Sequence, residues 1–373
     1  MIYLDNAATT LHKPERVIRA CKYALENLSA NAGRGSHPLA VKAANIVYRA
    51  RKAVCSLVGC DEVIFTLNCT DALNTVLFGT AKPRGHVVTT VYEHNSVLRP
   101  LRELNKRMGV EFTAVAPDRN GIIDPADIER AIRPNTYMVV VNHVSNVTGA
   151  VAPVTRIGGV ARRHGLLFLV DGAQSVGYLD VDMHAIHCNY LCFSPHKGLH
   201  GTQGIGCLCV NGTPPLNPYR FGGTGTSSHT LDQPQDIPEG FECGTLPVHN
   251  IHALIAAVTE HKNLSNRTFR RLAACGEYMR AELMKIPRVT VYGKHGVLPN
   301  LVSFNIEGMN SSATCDILAE QYDIATRCGL HCAPLCHQYL GTLSTGTVRA
   351  SLSYDTPESD VEFFVKSVRE IAK

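Results

Sequence analysis

The stretch "YLCFSPHKGLHGTQG", Tyr190 to Gly204, begins as a buried strand and ends in glycine turns, with Lys197 at the junction. Lysine is among the residues least often buried. One set between Ser194, Pro195 and His196 and a glycine is either a surface lysine or part of a site. In open α/β sheets the ligand crevice lies outside the carboxyl ends of the strands. The fold therefore turns on whether other apolar runs end in the same way.

Six more short apolar runs do read as strands: "EVIFT" (62–66), "HVVTTV" (86–91), "EFTAVA" (111–116), "TYMVVVNHV" (136–144), "LLFLVD" (166–171) and "GIGCLCV" (204–210). Most are separated by helix-period segments, after the helices expected at "RVIRACKYALENL" (16–28) and "PLAVKAANIVYRARKAVCSLVG" (38–59). Near-continuous apolar strands alternating with helices predict an α/β fold, a largely parallel sheet covered on both faces. After about residue 250 the pattern changes. A mostly helical stretch to 286 is followed by "VTVYG", "LVSFNIEG" and "TVRASLSY", then by a closing helix at 359–373. The expectation is a large α/β domain over 14–250 and a smaller α+β domain built from 1–13 and 251–373. The chain's 373 residues suffice for two cores. The Gly/Pro/Ser/Thr-rich stretch 212–240 reads as a long functional loop.

Composition narrows the classes. The chain is 45% hydrophobic and 18% charged, as a soluble globular protein is. Its formal net charge of +4 argues against a nucleic-acid protein. No run of about 18 apolar residues occurs, and no charged-then-apolar leader follows Met1. The expectation is a cytoplasmic protein without a membrane span or signal peptide, whose 14 cysteines are reduced thiols. The 17 histidines include no metal-spaced helix pair, so no metal is expected.

Five strand ends carry polar groups. Asn68-Cys69-Thr70-Asp71 opens a helix, and the free N–H groups there suit a phosphate, although taken alone the stretch favours a plain cap by Asn68 or Thr70. His94 opens the next helix and either stacks on a ring or caps. Asn146 follows the fourth run. Asp171 ends the fifth, with Gln174 just beyond. A buried carboxylate needs a cation, and a protonated pyridine nitrogen is one; a helix cap is the alternative. Lys197, once desolvated, is an effective Schiff-base former. Together these groups point to pyridoxal 5'-phosphate: ring nitrogen on Asp171, ring face on His94, phosphate at Thr70, Ser194 and His196, aldehyde on Lys197.

"IYLDNAATT", "EHNSV", "HVSNVTGA", "VDGAQS", "FSPHKG", "GGTGT", "FECGT", "GLHCAP" and "RASLSYDT" follow in that order from Ile2 onward. The set resembles the class V branch of fold-type I pyridoxal-phosphate enzymes, the cysteine desulfurase and selenocysteine lyase group. The resemblance implies that Lys197 bonds the cofactor aldehyde, Asp171 pairs the ring nitrogen, and His94 stacks on the ring and assists proton transfers. It implies that Gln174 and Asn146 lie at the phenolic oxygen, and that Cys69, Thr70, Ser194 and His196 hold the phosphate. It implies that Arg349, with Asn146, binds the substrate carboxylate, and that Thr245 reaches the phosphate of a neighbouring subunit in a homodimer. Cys332 is then the nucleophile, taking sulfur from cysteine, with release of alanine, for an acceptor protein. Selenocysteine as substrate, another class V C–S lyase or transaminase, and a non-enzymatic scaffold are the alternatives.

The segment "TRCGLHCAPLCH" holds Cys328, Cys332, Cys336 and two histidines. Gly329 and Pro334 deny the cysteines a single helix face, which argues against a metal cluster. "GLHCAP" reads as an exposed loop, where a thiol beside imidazole and Arg327 gains thiolate character. Cys328 and Cys336 depart from the commoner pattern and raise the question of sulfur passing beyond Cys332. The 17 positions between Cys332 and Arg349 resemble the subgroup with a short catalytic loop.

Overall fold

All seven runs between 62 and 210 are strands of one sheet. The computed structural model describes residues 1–33, 35–293 and 295–373. In chain order the first elements are β1 (Ile2–Tyr3), α1 (Glu15–Asn27), α2 (Pro38–Val58), β2 (Glu62–Thr66), α3 (Cys69–Gly79), β3 (His86–Thr90), α4 (Asn95–Met108) and β4 (Glu111–Val115). There follow α5 (Pro125–Arg130), β5 (Thr136–Asn142), α6 (Val154–Arg163), β6 (Leu167–Asp171), α7 (Met183–Ile186), β7 (Tyr190–Phe193) and β8 (Gly206–Val210). The remainder comprises α8 (Val248–Lys262), α9 (Asn266–Met284), β9 (Val289–Tyr292), β10 (Leu301–Ile306), α10 (Ser311–Tyr322), β11 (Ile324–Ala325), α11 (Pro334–Leu340), β12 (Val348–Ser351) and α12 (Glu358–Ile371).

The large sheet has the order β2-β8-β7-β6-β5-β3-β4. Only β8 runs antiparallel to its neighbours, because the segment carrying Lys197 folds the chain straight back from β7. From β3 the chain steps outward to β4, then crosses to β5 on the other side and on to β6. The switch point lies between β3 and β5, and their carboxyl ends frame the crevice. Both faces of the sheet are covered. In β5, Val139 and Val141 join one core while Met138 and Val140 join the other, as side-chain alternation requires. Each such buried valine contributes roughly 1.5–3 kcal/mol.

The small three-stranded sheet, β12-β10-β9, is antiparallel and shares a core with α9, α10 and α12. Residues at the chain's start pair there: β1 lies parallel to β11, and Asp5 bridges Ser351. Helix α8 runs across the boundary expected at 250. Its Ile251, Leu254 and Val258 pack in the large-sheet core. No helix among the described residues is long and apolar enough to cross a membrane.

Candidate active site

Strand β2 delivers the chain to Asn68, whose Oδ1 accepts from Asp71 N and caps α3. Ser194 Oγ, at the end of β7, accepts from Cys69 N at 2.7 Å, so two strand ends meet at this helix N-terminus. The positive end of α3 favours an anion here, although its Cys69 and Asp71 amides already have these protein partners. His196 stands beside it, its Nδ1 2.9 Å from Thr9 Oγ1 and its carbonyl accepting from Thr10 N and Oγ1. Burial, then the charges of Lys197 and Lys13, lower its pKa to about 4, so its imidazole is neutral near pH 7.

Asp171, at the end of β6, is 3% exposed. Its Oδ1 accepts from Ala173 N at 2.9 Å, but a turn follows rather than a helix, so it caps nothing. Burial raises its pKa, while Ala173 N–H and the charge of Lys197 pull it down. A cation on its cavity side would hold the ionised form. Lys197 lines the same cavity, and burial lowers its pKa, which favours the nucleophilic free amine. Its position rests on two glycines in close approach. A Cβ on Gly198 would lie 2.4 Å from Val176 O, and one on Gly177, at φ +95°, only 2.3 Å from the Gly198 carbonyl carbon. Only glycine lets the two backbones touch there.

His94 caps α4, accepting from Ser96 N at 3.0 Å through Nδ1. That bond places the ring proton on Nε2. Ser96 Oγ links His94 Nδ1, at 2.7 Å, to Thr70 Oγ1, at 2.9 Å. Burial first, then Lys197 and Arg349, lower the pKa of His94 to about 4. Lys197, Asp171, His94, Cys69, Thr70, Ser194, His196, Asn146 and Gln174 together line one cavity of about 120 Å³. Gln174 Nε2 donates to Ala7 O, which leaves one amide hydrogen for a ligand. Asn146 Nδ2 donates to His331 O at 2.7 Å, while its Oδ1 is buried without a partner.

Cys332 is exposed and lines an adjoining groove that shares Thr70, His94 and Ser96 with the cavity. Its loop is pinned twice, by Asn146 on His331 O and by Asn95 N on Cys332 O at 2.6 Å. His331 and Cys332 both have left-handed backbone, φ +47° and +58°. Such conformations cost on the order of 1 kcal/mol each in non-glycine residues and cluster at functional loops. Pro334 begins α11, which carries Cys336 into the core, whereas Cys328 is exposed. Among the described residues no group of three or more His, Cys, Asp or Glu is arranged to hold a metal ion.

Two predicted residues stand apart from the cavity. Arg349 is 2% exposed and lines neither space; its Nη1 donates to Asn146 O and its Nη2 pairs with Asp5 Oδ1, both at 3.0 Å. Thr245 is exposed in a separate groove with Arg51 and Gly223–Thr226. Its segment is tied to β2 by Glu242, which accepts from Phe65 N and pairs with Arg51. Sequence reasoning gave no role to Ser96, Glu93 or Asp5. The first two sat in view, flanking His94 in "EHNSV" or just before it; Asp5 gave only the motif "IYLDNAATT" as a signal.

A family profile described as "Aminotransferase class-V" matches residues 2–364. A "Probable cysteine desulfurase" of Methanothermobacter thermautotrophicus is 34% identical, the alignment covering 100% of this chain and 94% of that protein. A "Cysteine desulfurase IscS" of Pectobacterium carotovorum is 32% identical over 99% of this chain and 92% of its own length. The solved apo structure of a cysteine desulfurase from Thermococcus onnurineus superposes with a TM-score of 0.91 at 32% identity, covering 100% of this chain and 94% of that one.

Proposed function

The chain belongs to the aminotransferase class-V family, and from that premise we propose that it is a pyridoxal-phosphate-dependent cysteine desulfurase. The observation that carries the reading is the exposed Cys332 thiol on a groove continuous with the Lys197–Asp171 cavity. The residues fit the cofactor. A buried carboxylate that lacks a strong cation, a buried unpaired Asn146 Oδ1 and a helix N-terminus share one cavity with a desolvated amine. Asp171 would hold the ring nitrogen, Thr70, Ser194, His196 and the Cys69 end of α3 the phosphate, and Lys197 the aldehyde carbon. Pyridoxal phosphate, when bound, supplies the electron sink that lets the α-proton and then the sulfur leave.

The chain's own groups supply the rest. Lys197 Nζ, as a free amine, would take the α-proton. His94, neutral and protonated on Nε2, offers a donor over the cavity. The Cys332 thiolate forms an S–S bond to the substrate sulfur as the Cβ–S bond breaks. Cβ then takes a proton, Lys197 returns a proton to Cα, alanine leaves, and Cys332 carries a persulfide for an acceptor protein. Arg349 binds the substrate carboxylate once Asp5 yields an N–H of its guanidinium. In this reading Thr245 serves the cavity of a second copy in a homodimer, and the two domains are those expected, with the large one extended from 250 through α8 to Lys262. Cysteine rather than selenocysteine is favoured because the pinned thiol loop is needed to abstract the less labile sulfur.

Mass analysis of the intact protein after cysteine addition tests this. One added sulfur should map to Cys332. Cys332→Ala should lose it while keeping the bound yellow cofactor, and Lys197→Ala should lose the colour. Normal alanine production by Cys332→Ala would refute the assignment.

A further inference from the structure

Asn142 and His143 are consecutive at the end of β5, yet they line different spaces. Asn142 lines the proposed cofactor cavity. His143 lines a second cavity of about 330 Å³, enclosed by the ends of α2 and α8, the start of α6, the segment 176–182 and α7. His143 is 6% exposed, and its Nδ1 is buried without a partner. Burial lowers its pKa to about 4, so the ring is neutral near pH 7. His261, in the last turn of α8, lines the same cavity, and its Nδ1 is likewise buried and unpartnered. Buried polar groups are rarely left unpaired in native proteins, so two in one cavity call for an occupant. The lining is also divided by polarity. Val58, Val154, Val176 and Ile186 are buried, whereas Asp180 and Asp182 are exposed at the mouth. Asp182 Oδ1 caps α7, accepting from His184 N at 2.9 Å, which leaves Oδ2. The charge of Asp180 reaches His261, and so does that of Lys262, whose Nζ is held 2.8 Å from Ser56 Oγ.

We propose that this cavity binds a small organic ammonium ion whose apolar body ends in a hydroxyl group. The ammonium sits at Asp180 and Asp182, the body lies on the three valines and Ile186, and the hydroxyl bonds the His143 ring. A hydroxyl suits a neutral imidazole because it serves as donor or acceptor, whichever tautomer the ring holds. Water could bond His143, but it would leave the apolar walls wet and the mouth unneutralised. Gly177 lines the cavity as well, so the occupant lies against the backbone that packs on Gly198 beside Lys197.

The test titrates the folded, cofactor-loaded chain with N,N-dimethyltyramine, followed by calorimetry and by the histidine ring resonances. A tertiary amine forms no Schiff base, so the probe reports on this cavity and not on the aldehyde chemistry of the other. One molecule should bind per chain and shift the His143 resonance, which is assigned by its disappearance in His143→Phe. N,N-dimethylphenethylamine, which lacks the hydroxyl, should bind roughly ten-fold more weakly, as the loss of one hydrogen bond would. Asp180→Asn should weaken the parent probe by about three-fold, the scale of an exposed ion pair, and p-ethylphenol, which lacks the ammonium, should be weaker to a similar degree. His143→Phe should bind the two amines equally. If that variant does not fold, the pair of amines still reads the same bond in the parent chain. Absence of binding, equal binding of the two amines by the parent, or affinity unchanged by Asp180→Asn would overturn the proposal.

Discussion

Replacing Glu93 with glutamine should flatten part of the pH dependence of stability. Glu93 follows β3, just before His94, and is fully buried. Its Oε1 accepts from Thr90 Oγ1 at 2.8 Å and Asn142 N at 3.0 Å, while Oε2 has no partner. Burial is the largest influence on this carboxyl. The two hydrogen bonds oppose it, the charge of Asp171 adds to it, and the pKa rises from 4.5 to about 8. Between these values the folded chain keeps a proton that the unfolded chain has released. Stability contributed by this site is therefore full at low pH and lost as pH rises through the window. One proton corresponds to about 1.4 kcal/mol per pH unit, or roughly 3–4 kcal/mol between about pH 5 and pH 8. Glutamine keeps the acceptor for both hydrogen bonds and cannot titrate. Urea unfolding of cofactor-free parent and Glu93→Gln chains across this range isolates the effect, because every other titrating group is common to both. The stability difference should grow in favour of the glutamine variant as pH rises. A difference that stays constant with pH would refute a buried, protonated Glu93.

Arg349→Lys should raise KM for cysteine by roughly 10–100-fold, the loss of one charge-assisted bond or two, in steady-state alanine release; an unchanged KM would remove Arg349 from carboxylate binding. Thr245→Ala should weaken pyridoxal phosphate binding by about ten-fold in equilibrium dialysis, as the loss of one phosphate bond would, although Thr245 lies outside its own chain's cavity. Full affinity in that variant would end the case for a shared site. Gly198→Ala, whose Cβ would sit 2.4 Å from Val176 O, should destabilise by roughly 1–3 kcal/mol and release cofactor from the displaced Lys197 segment. Thermal melting and visible absorbance read both, and a variant as stable and as yellow as the parent would contradict the close packing.

The large sheet was legible because its strands are buried on both faces. "YMVVVN" carries no polar face to confuse its period, and an apolar run of that kind has few other homes. The polar residues that end those strands were legible for the same reason, since they break an apolar context. Elements without a run of their own gave no such signal. β1 and β11 have two residues each and exist only through their mutual pairing. The contact between Cys315 and Thr326 arises from α10 folding against the strand that follows it, which no local periodicity encodes. Asp5 lies in a motif that was quoted, but its partner Arg349 is 344 positions away. Its role depends on the register of the small sheet.

That register gives the first ten residues a function that their sequence alone conceals. Asp5 pairs Arg349, Ala7 O accepts from Gln174, Thr9 Oγ1 meets His196 Nδ1, and Thr10 bonds the His196 carbonyl. One short segment thus touches the proposed carboxylate clamp, the phenolic side of the cavity and its phosphate side. Its own anchor is in the small sheet, where Ser351 Oγ accepts from Ala7 N and Asn6 Nδ2 donates to Ser351 O. Each bond is worth about 1 kcal/mol net, too little to fix a loop alone, but together they order the segment against the entropy that would free it. Strand β12, carrying Arg349 and Ser351, therefore acts on the cavity through the chain's start as well as through Asn146. A shift of β12 would move Asp5 and Ala7 together. The proposed carboxylate clamp and the proposed ring-binding amide are thereby held in one fixed relation, as bringing a substrate Cα within reach of Lys197 requires.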